Sequence, residues 1–243
     1  MSYLLIIGAK SDIAKAVARE YAKNGYDLYL AARNSQQLDE FSYDITIRYA
    51  GKVTCVDLDL LDFDSHQKFY DDLSEKPFGV ICIAGYMVDQ KKAEVDFKET
   101  QQMIDTNYTG AVSLLNIIAN DFEKRTNGFI VGVSSVAGDR GRKTNYIYGS
   151  SKAAFSTYLS GLRNRLSGSN IHVMDVKPGF VNTKMTEGLE LPEKLTAQPE
   201  EVSRDIFNAQ QKNKNVLYTK WMWKYIMLII KHIPEFIFKK MSI

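Results

Sequence analysis

Tyr3-Leu4-Leu5-Ile6-Ile7-Gly8-Ala9-Lys10-Ser11-Asp12-Ile13-Ala14 opens the chain with a five-residue apolar run, a glycine, and residues that start a helix. The run does not alternate, so it reads as a strand covered on both faces, as in a parallel sheet. Gly8 permits a tight turn, Ser11 and Asp12 can cap the following helix, and small Ala14 lets helix and strand pack closely. Such a turn aims helix N-terminal amides at an anion. Two of the three glycines of a dinucleotide fingerprint are absent, so an ordinary capped helix after a strand fits this stretch equally well.

Outward from this turn the pattern repeats. Short apolar runs at Asp27–Ala31, Val53–Val56, Gly79–Ala84, Phe129–Val133 and Ile171–Val176 read as further strands, with Val216–Tyr218 as a seventh. Segments at helical spacing lie between them: Ile13–Asn24, Ser35–Tyr49, Ser65–Leu73, Lys98–Glu123, Tyr146–Leu166 and Pro199–Lys212. Alternation of this kind predicts an α/β fold, a Rossmann-like doubly wound parallel sheet of about seven strands joined by right-handed crossovers. Residues 1–218 are expected to form one nucleotide-binding and catalytic domain, and residues 219–243 a C-terminal amphipathic helical tail.

Composition narrows the partners. Basic residues number 31 against 29 acidic, a net charge of +2, which lacks the cationic field of a nucleic-acid binder. Cys55 and Cys82 sit inside apolar runs and read as buried free thiols. His66, His172 and His232 are far apart and none has a ligand partner at metal-motif spacing, so no metal is expected. The N-terminal apolar run is too short for a signal peptide, which points to a reducing, cytoplasmic setting.

Three side chains carry the chemistry. Tyr148-Gly-Ser-Ser-Lys152 places a phenol and an ammonium at i and i+4, on one face of a helix. A fixed positive charge stabilises a phenolate and brings tyrosine closer to acid–base work near neutrality. Ser135 closes Val131-Gly-Val-Ser-Ser135 at a strand's carboxyl end, where open α/β sheets keep their sites and where a hydroxyl can hold a carbonyl oxygen. The second strand ends Ala31-Ala32-Arg33, with arginine where a ribose-binding carboxylate would stand, and this favours NADP(H), with NAD(H) as the alternative. Lys10 offers a second positive charge nearby.

The order and spacing of the first turn, Ala84-Gly85, Asn107, Ser135, Tyr148-x-x-x-Lys152 and Pro178-Gly179-x-x-x-Thr183 resemble the classical short-chain dehydrogenase/reductase family over essentially the whole chain. The resemblance implies hydride transfer between nicotinamide C4 and a carbon bearing oxygen, with Tyr148 as proton donor and Ser135 orienting the carbonyl. It implies that Lys152 lowers the tyrosine pKa and holds the nicotinamide ribose, and that Asn107 supports a water-mediated proton relay. For the cofactor it implies Gly8, Lys10, Ser11, Asp12 and Ile13 in the turn, Arg33, Asp59 and Leu60 on the adenosine side, Ala84 and Gly85, and Pro178, Gly179, Val181 and Thr183 near the nicotinamide and pyrophosphate. Departures are Ile7, Asp12 and Ala14 in the turn, and Cys82-Ile-Ala-Gly85 for the usual Asn-Asn-Ala-Gly.

A narrower resemblance, to decaprenylphosphoryl-2-keto-ribose reductases, runs through Asp57-Leu-Asp-Leu-Leu-Asp-Phe-Asp-Ser-His66, Asn107-Tyr-Thr-Gly-Ala-Val-Ser113, Ala137-Gly-Asp-Arg140 and the tail. It implies a 2-keto sugar on a polyprenyl phosphate as substrate, a flavin-dependent oxidase acting in the preceding step, and a role in cell-envelope polysaccharide synthesis; family members are also often homo-oligomers. The tail places Met222, Tyr225, Ile226, Ile229 and Ile233 on one helical stripe, with Lys220, Lys224, Lys231 and Glu235 opposite. Such a helix suits peripheral contact at the inner face of a membrane; docking on its own domain or in a dimer interface fits equally. A reductase of a soluble hydrophobic ketone, of steroid or 3-oxoacyl type, and a non-catalytic nucleotide sensor are the rival functions.

Overall fold

Alternate residues of the first strand, β1 (Tyr3–Ile7), enter two different cores: Leu4 and Ile6 join one apolar cluster, Leu5 and Ile7 the other. Both faces of the sheet are therefore covered, which is why the run shows no alternation. This is seen in a computed structural model that describes residues 2–241. The last two residues of the expected tail, 242 and 243, lie outside the described residues.

The strands β1, β2 (Asp27–Ala32), β3 (Val53–Asp57), β4 (Gly79–Cys82), β5 (Gly128–Val133), β6 (Ile171–Pro178), and a late strand (Val216–Thr219) form one seven-stranded parallel sheet. A two-stranded pair, β7 (Phe180–Val181) with β8 (Thr196–Ala197), precedes the late strand, which is therefore β9. The order β3-β2-β1-β4-β5-β6-β9 is doubly wound, and the direction of winding reverses between β1 and β4. Ligand crevices of such sheets open at this reversal, at the strands' carboxyl ends.

Helices α1 (Asp12–Lys23), α2 (Asp39–Tyr49), α3 (His66–Asp71), α4 (Gln90–Val95), α5 (Phe97–Ile104), α6 (Gly110–Arg125), α7 (Tyr146–Leu166) and α8 (Pro199–Gln211) fill the crossovers. Apolar side chains of α1 and α8 cover one face of the sheet, and those of α3, α6 and α7 the other. The long helix expected over Lys98–Glu123 is divided: a π-helical turn, Asp105–Thr109, separates α5 from α6. Strand β4 stops at Cys82 rather than Ala84, because Ile83 N makes the last ladder bond, to Ile7 O at 2.9 Å, and Ala84-Gly85 then leaves the sheet. Neither α4 nor the β7–β8 pair was expected from the sequence.

After β9 come α9 (Met222–His232) and α10 (Glu235–Phe238). The face that α9 turns inward corrects the expected stripe. Trp223 and Met227 are the buried residues, packed with Val136, Phe180, Ile226 and Ile230, while Tyr225 and Ile229 are 55% and 67% exposed. The expected stripe thus straddles the boundary between the docked and outward faces. Arg140 fixes the tail: its guanidinium donates to Ile230 O (2.5 Å), Ile233 O (2.7 Å) and Glu235 (2.9 Å), and lies 3.6 Å from the Phe238 ring centroid. No helix among the described residues is long and apolar enough to cross a membrane.

Candidate active site

Gly8 turns the chain out of β1 with φ +82°, and a Cβ there would fall 2.8 Å from Ala84 N. Only glycine allows both the left-handed backbone and this approach of the two strand ends at the reversal point. The amides of Gly8 and Ala9 donate to Ala31 O (3.0 and 3.1 Å), and Ser11 Oγ accepts from Ala14 N at 3.2 Å, capping α1. Asp12 occupies the position of a missing glycine, and its carboxylate accepts from Lys184 N at 2.9 Å. The turn is thereby latched to the segment that follows β7.

Two adjoining cavities open from this point. One, of about 240 Å³, is lined by Gly8, Lys10, Ser11, Arg33, Asp59, Leu60, Ala84 and Gly85. The other, of about 390 Å³, is lined by Lys10, Ser11, Asp12, Ile13, Gly85, Ser135, Tyr148, Lys152, Pro178, Gly179, Val181 and Thr183. All the expected site residues except Asn107 therefore line one continuous cleft. A wider open groove of about 770 Å³ continues past Arg33 and Asp59.

Arg33 is exposed, and no hydrogen bond or ion pair holds it among the described residues. The nearby carboxylate of Asp57 is committed to Ser35 N (2.9 Å) and Gln36 Nε2 (3.4 Å). Lys10 Nζ donates to Gln37 at 2.9 Å, which brings its charge to the same end of the cleft. A 2′-phosphate would meet two cations here, whereas a ribose diol would find no free carboxylate at Asp57.

Ser135 follows β5 in extended conformation and its Oγ accepts from Ala137 N at 3.1 Å. Tyr148 and Lys152 stand one turn apart on α7, with Nζ 5.9 Å from the phenol ring centroid. Lys152 is buried and donates to Val133 O (3.1 Å) and Ala84 O (3.4 Å). Burial pushes its pKa down to about 8 against the opposing charges of Cys82 and Asp175. Burial likewise pushes the Tyr148 phenol up to about 12, with the Ser135 hydroxyl acting the other way. The implied lowering of the tyrosine by Lys152 is thus absent: desolvation of both groups outweighs an ammonium that turns to carbonyls.

Asn107 lies in the π turn, fully enclosed. Its Oδ1 accepts from Tyr86 N (2.7 Å), and Nδ2 donates to Tyr86 O and Ser151 Oγ (both 2.9 Å). The side chain has no donor left for a water relay and instead clamps the strand-4 loop onto α7. Sequence reasoning missed Met87, Arg142, Asn145, Phe180, Met185 and Leu189, which line the 390 Å³ cavity. None is a fixed position of a spaced motif; apart from Phe180, which β7 carries, they arrive from loops whose packing the sequence does not display. Among the described residues no His, Cys, Asp or Glu cluster could hold a metal.

The arrangement puts a hydroxyl, a phenol and an ammonium at one end of a cleft whose other end offers helix amides and cations. The protein family described as short chain dehydrogenase matches residues 2–194. An uncharacterized oxidoreductase of Mycobacterium tuberculosis is 32% identical over 241 residues, covering 98% of this chain and 96% of that protein. One from Streptomyces coelicolor is 31% identical over 249 residues, covering 99% and 96%. A solved short-chain dehydrogenase from Sphingobium yanoikuyae, in complex with NADPH, superposes with a TM-score of 0.84 over 97% of both chains at 23% identity. Extent of match and shared architecture agree, and the chain belongs to the short-chain dehydrogenase family.

Proposed function

We propose that the protein is an NADPH-dependent carbonyl reductase that converts a ketone to a secondary alcohol, and that the ketone is a 2-keto sugar carried on a polyprenyl phosphate. The observation that carries the reduction is the convergence of Ser135, Tyr148 and Lys152 on the cleft that begins at Gly8. Arg33 and Lys10, at the opposite end, support NADPH, the cofactor of the Sphingobium relative. NAD(H) is the poorer alternative for want of a free carboxylate.

When bound, NADPH supplies the hydride. The residues of this chain do the rest. Ser135 Oγ donates to the substrate carbonyl oxygen and fixes its position. Tyr148, protonated throughout the neutral range because its phenol is buried, donates its proton to that oxygen as it becomes an alkoxide. Lys152 would hold the cofactor's ribose hydroxyls and, as an ammonium below pH 8, balance the phenolate charge left on Tyr148 when it gives up its proton. Asn107 positions Tyr86 and Ser151, so a relay would run past its backbone rather than through its amide.

The sugar and lipid rest on the narrower sequence resemblance, whose segments Ala137-Gly-Asp-Arg140 and tail are joined physically by the Arg140 bonds. The outward face of the tail, with Trp221, Tyr225, Leu228 and Ile229 exposed and Lys224 and Lys231 beside them, suits contact with an anionic leaflet where such a lipid resides. A flavin-dependent oxidase would supply the keto sugar, and a homo-oligomer is the expected assembly. An NADPH-oxidation screen over keto-sugar polyprenyl phosphates and ordinary ketones tests the reading. Preference for the keto-sugar lipid supports it; preference for a steroid or 3-oxoacyl ketone replaces it with a reductase of soluble substrates.

A further inference from the structure

We infer that Arg142 is a specificity-determining residue that holds an anionic group of the substrate, phosphate, sulfonate or carboxylate, in the catalytic cavity; this rests on the carbonyl-reductase reading and deepens it. Arg142 lines the same 390 Å³ cavity as Ser135 and Tyr148. Met87, Val136, Phe180, Met185 and Leu189 supply apolar wall to that cavity.

Among the described residues the guanidinium has no ionic partner. It donates to Val136 O at 3.3 Å and to Met227 Sδ at 3.4 Å, and among the described residues no carboxylate oxygen comes within 4.0 Å. Its Nε is buried without any acceptor. Asp139, whose charge reaches it, is already held by Lys177 (2.6 Å) and the Tyr218 hydroxyl (2.7 Å). Burial pulls even this guanidinium below its ordinary range, with the Asp139 charge acting the other way. A half-buried cation with no carboxylate partner among the described residues is incompletely compensated, and an anion entering the cavity would relieve it through a charge-assisted bond. Asn145 also lines this cavity, and its Oδ1 is buried without a donor among the described residues.

The alternative is that Arg142 is only a brace between the catalytic loop and α9. Calorimetry separates the two without any turnover. Dihydroxyacetone phosphate and dihydroxyacetone are titrated into full-length protein saturated with NADP⁺, which occupies the cofactor's own phosphate contacts and cannot reduce a ketone. The expected wild-type result is at least tenfold tighter binding of the phosphate, with Arg142→Gln removing about 10- to 150-fold of its affinity and leaving the neutral ketone unchanged. Arg142→Lys, which keeps the charge, should retain part of the discrimination. Equal affinity of the two ligands in the wild type, or an equal loss for both in Arg142→Gln, overturns the inference. Should Arg142→Gln fail to fold, the wild-type ratio and Arg142→Lys decide: a wild-type ratio near one, or a ratio unchanged by lysine, overturns it. A second pair, acetoacetate and methyl acetoacetate, asks whether carboxylate replaces phosphate. If no ketone is ever reduced but the anion discrimination depends on Arg142, the reductase reading falls and the anion site stands. Reduction with no such dependence gives the reverse.

Discussion

Trp223 and Gly179 are fitted so closely that a Cβ on the glycine would lie 1.9 Å from the indole Nε1. The same N–H donates to Leu195 O at 3.0 Å, and the indole meets Phe180 edge-on at 5.3 Å between centroids. One tail residue thereby sets the path of Pro178–Val181 along the cleft. The tail is part of the cleft's architecture on one face, whatever its other face does.

Gly179→Ala should consequently destabilise the protein by about 1–3 kcal/mol, the usual cost of forcing extra volume into packed structure. It should also weaken cofactor binding, because the displaced segment lines the cleft. Combining it with Trp223→Phe, which removes the clashing indole nitrogen, should cost less than the two changes summed, by about 0.5–3 kcal/mol. Urea unfolding of the four proteins measures this, and strict additivity would show that the contact does not couple tail and cleft.

Tyr148→Phe should remove turnover by about 10²–10⁴-fold while cofactor affinity stays near wild type, since only the proton donor is lost. The pH dependence should come from its neighbour. Lys152, at about 8, loses its charge as pH rises through 8, whereas Tyr148, at about 12, stays protonated. The kcat/KM for NADPH, which reports groups of the free enzyme, should therefore be level below pH 8 and fall above it. Fluorescence titration of NADPH should show the same limb in affinity. A profile level to pH 10 in both measurements would remove Lys152's titration from cofactor binding.

Arg33→Ala should weaken NADPH binding by about 10- to 150-fold, the worth of one charge-assisted bond of roughly 1.5–3 kcal/mol, and spare NADH. Losing Lys10 as well should reduce it further, since both cations stand at that end of the cleft. Equal loss of both cofactors, or a wild-type preference for NADH, would sink the NADP(H) assignment.

The strands and the catalytic motifs were legible because their signals are local: unalternating apolar runs, a strand-ending glycine, and a phenol–ammonium pair at helical spacing. The break at Asp105–Thr109 was not, because Lys98–Glu123 keeps helical spacing on both sides and a π turn merely takes one extra residue into a single wider turn. Helix α4 escaped because Gln90-Lys-Lys-Ala-Glu-Val95 is mostly polar and rests on an N-cap, Asp89, that accepts from Lys91 N and Lys92 N. The pairing of Tyr148 with Lys152 could be read, but not the outcome of their burial, which depends on carbonyls from β5 and the strand-4 loop. Arg142 carries no motif at all; its isolation from carboxylates exists only in three dimensions. The tail's amphipathicity was readable, yet its inward face was misplaced, since a helix apolar over more than half its circumference does not declare which part will dock.

That misplacement changes which substitution tests the proposed membrane contact. Ile226 packs against the docked face, so altering it would disturb the cleft through Trp223 and Met227. Leu228 and Ile229 are 56% and 67% exposed and stand beside exposed Tyr225, so their replacement by Asp should leave the fold intact. Lysines 220, 224 and 231 can each contribute about 1 kcal/mol of attraction near an anionic leaflet, rising as salt falls. The Leu228→Asp, Ile229→Asp double variant should therefore lose binding to anionic vesicles in flotation, while its unfolding midpoint and its activity on a short soluble keto-sugar analogue remain near wild type. Reduction of the long-chain lipid substrate should fall with vesicle binding. If the wild type does not float with anionic vesicles, or if the double variant changes subunit association while vesicle binding persists, the outward face serves a protein interface and the membrane reading is abandoned.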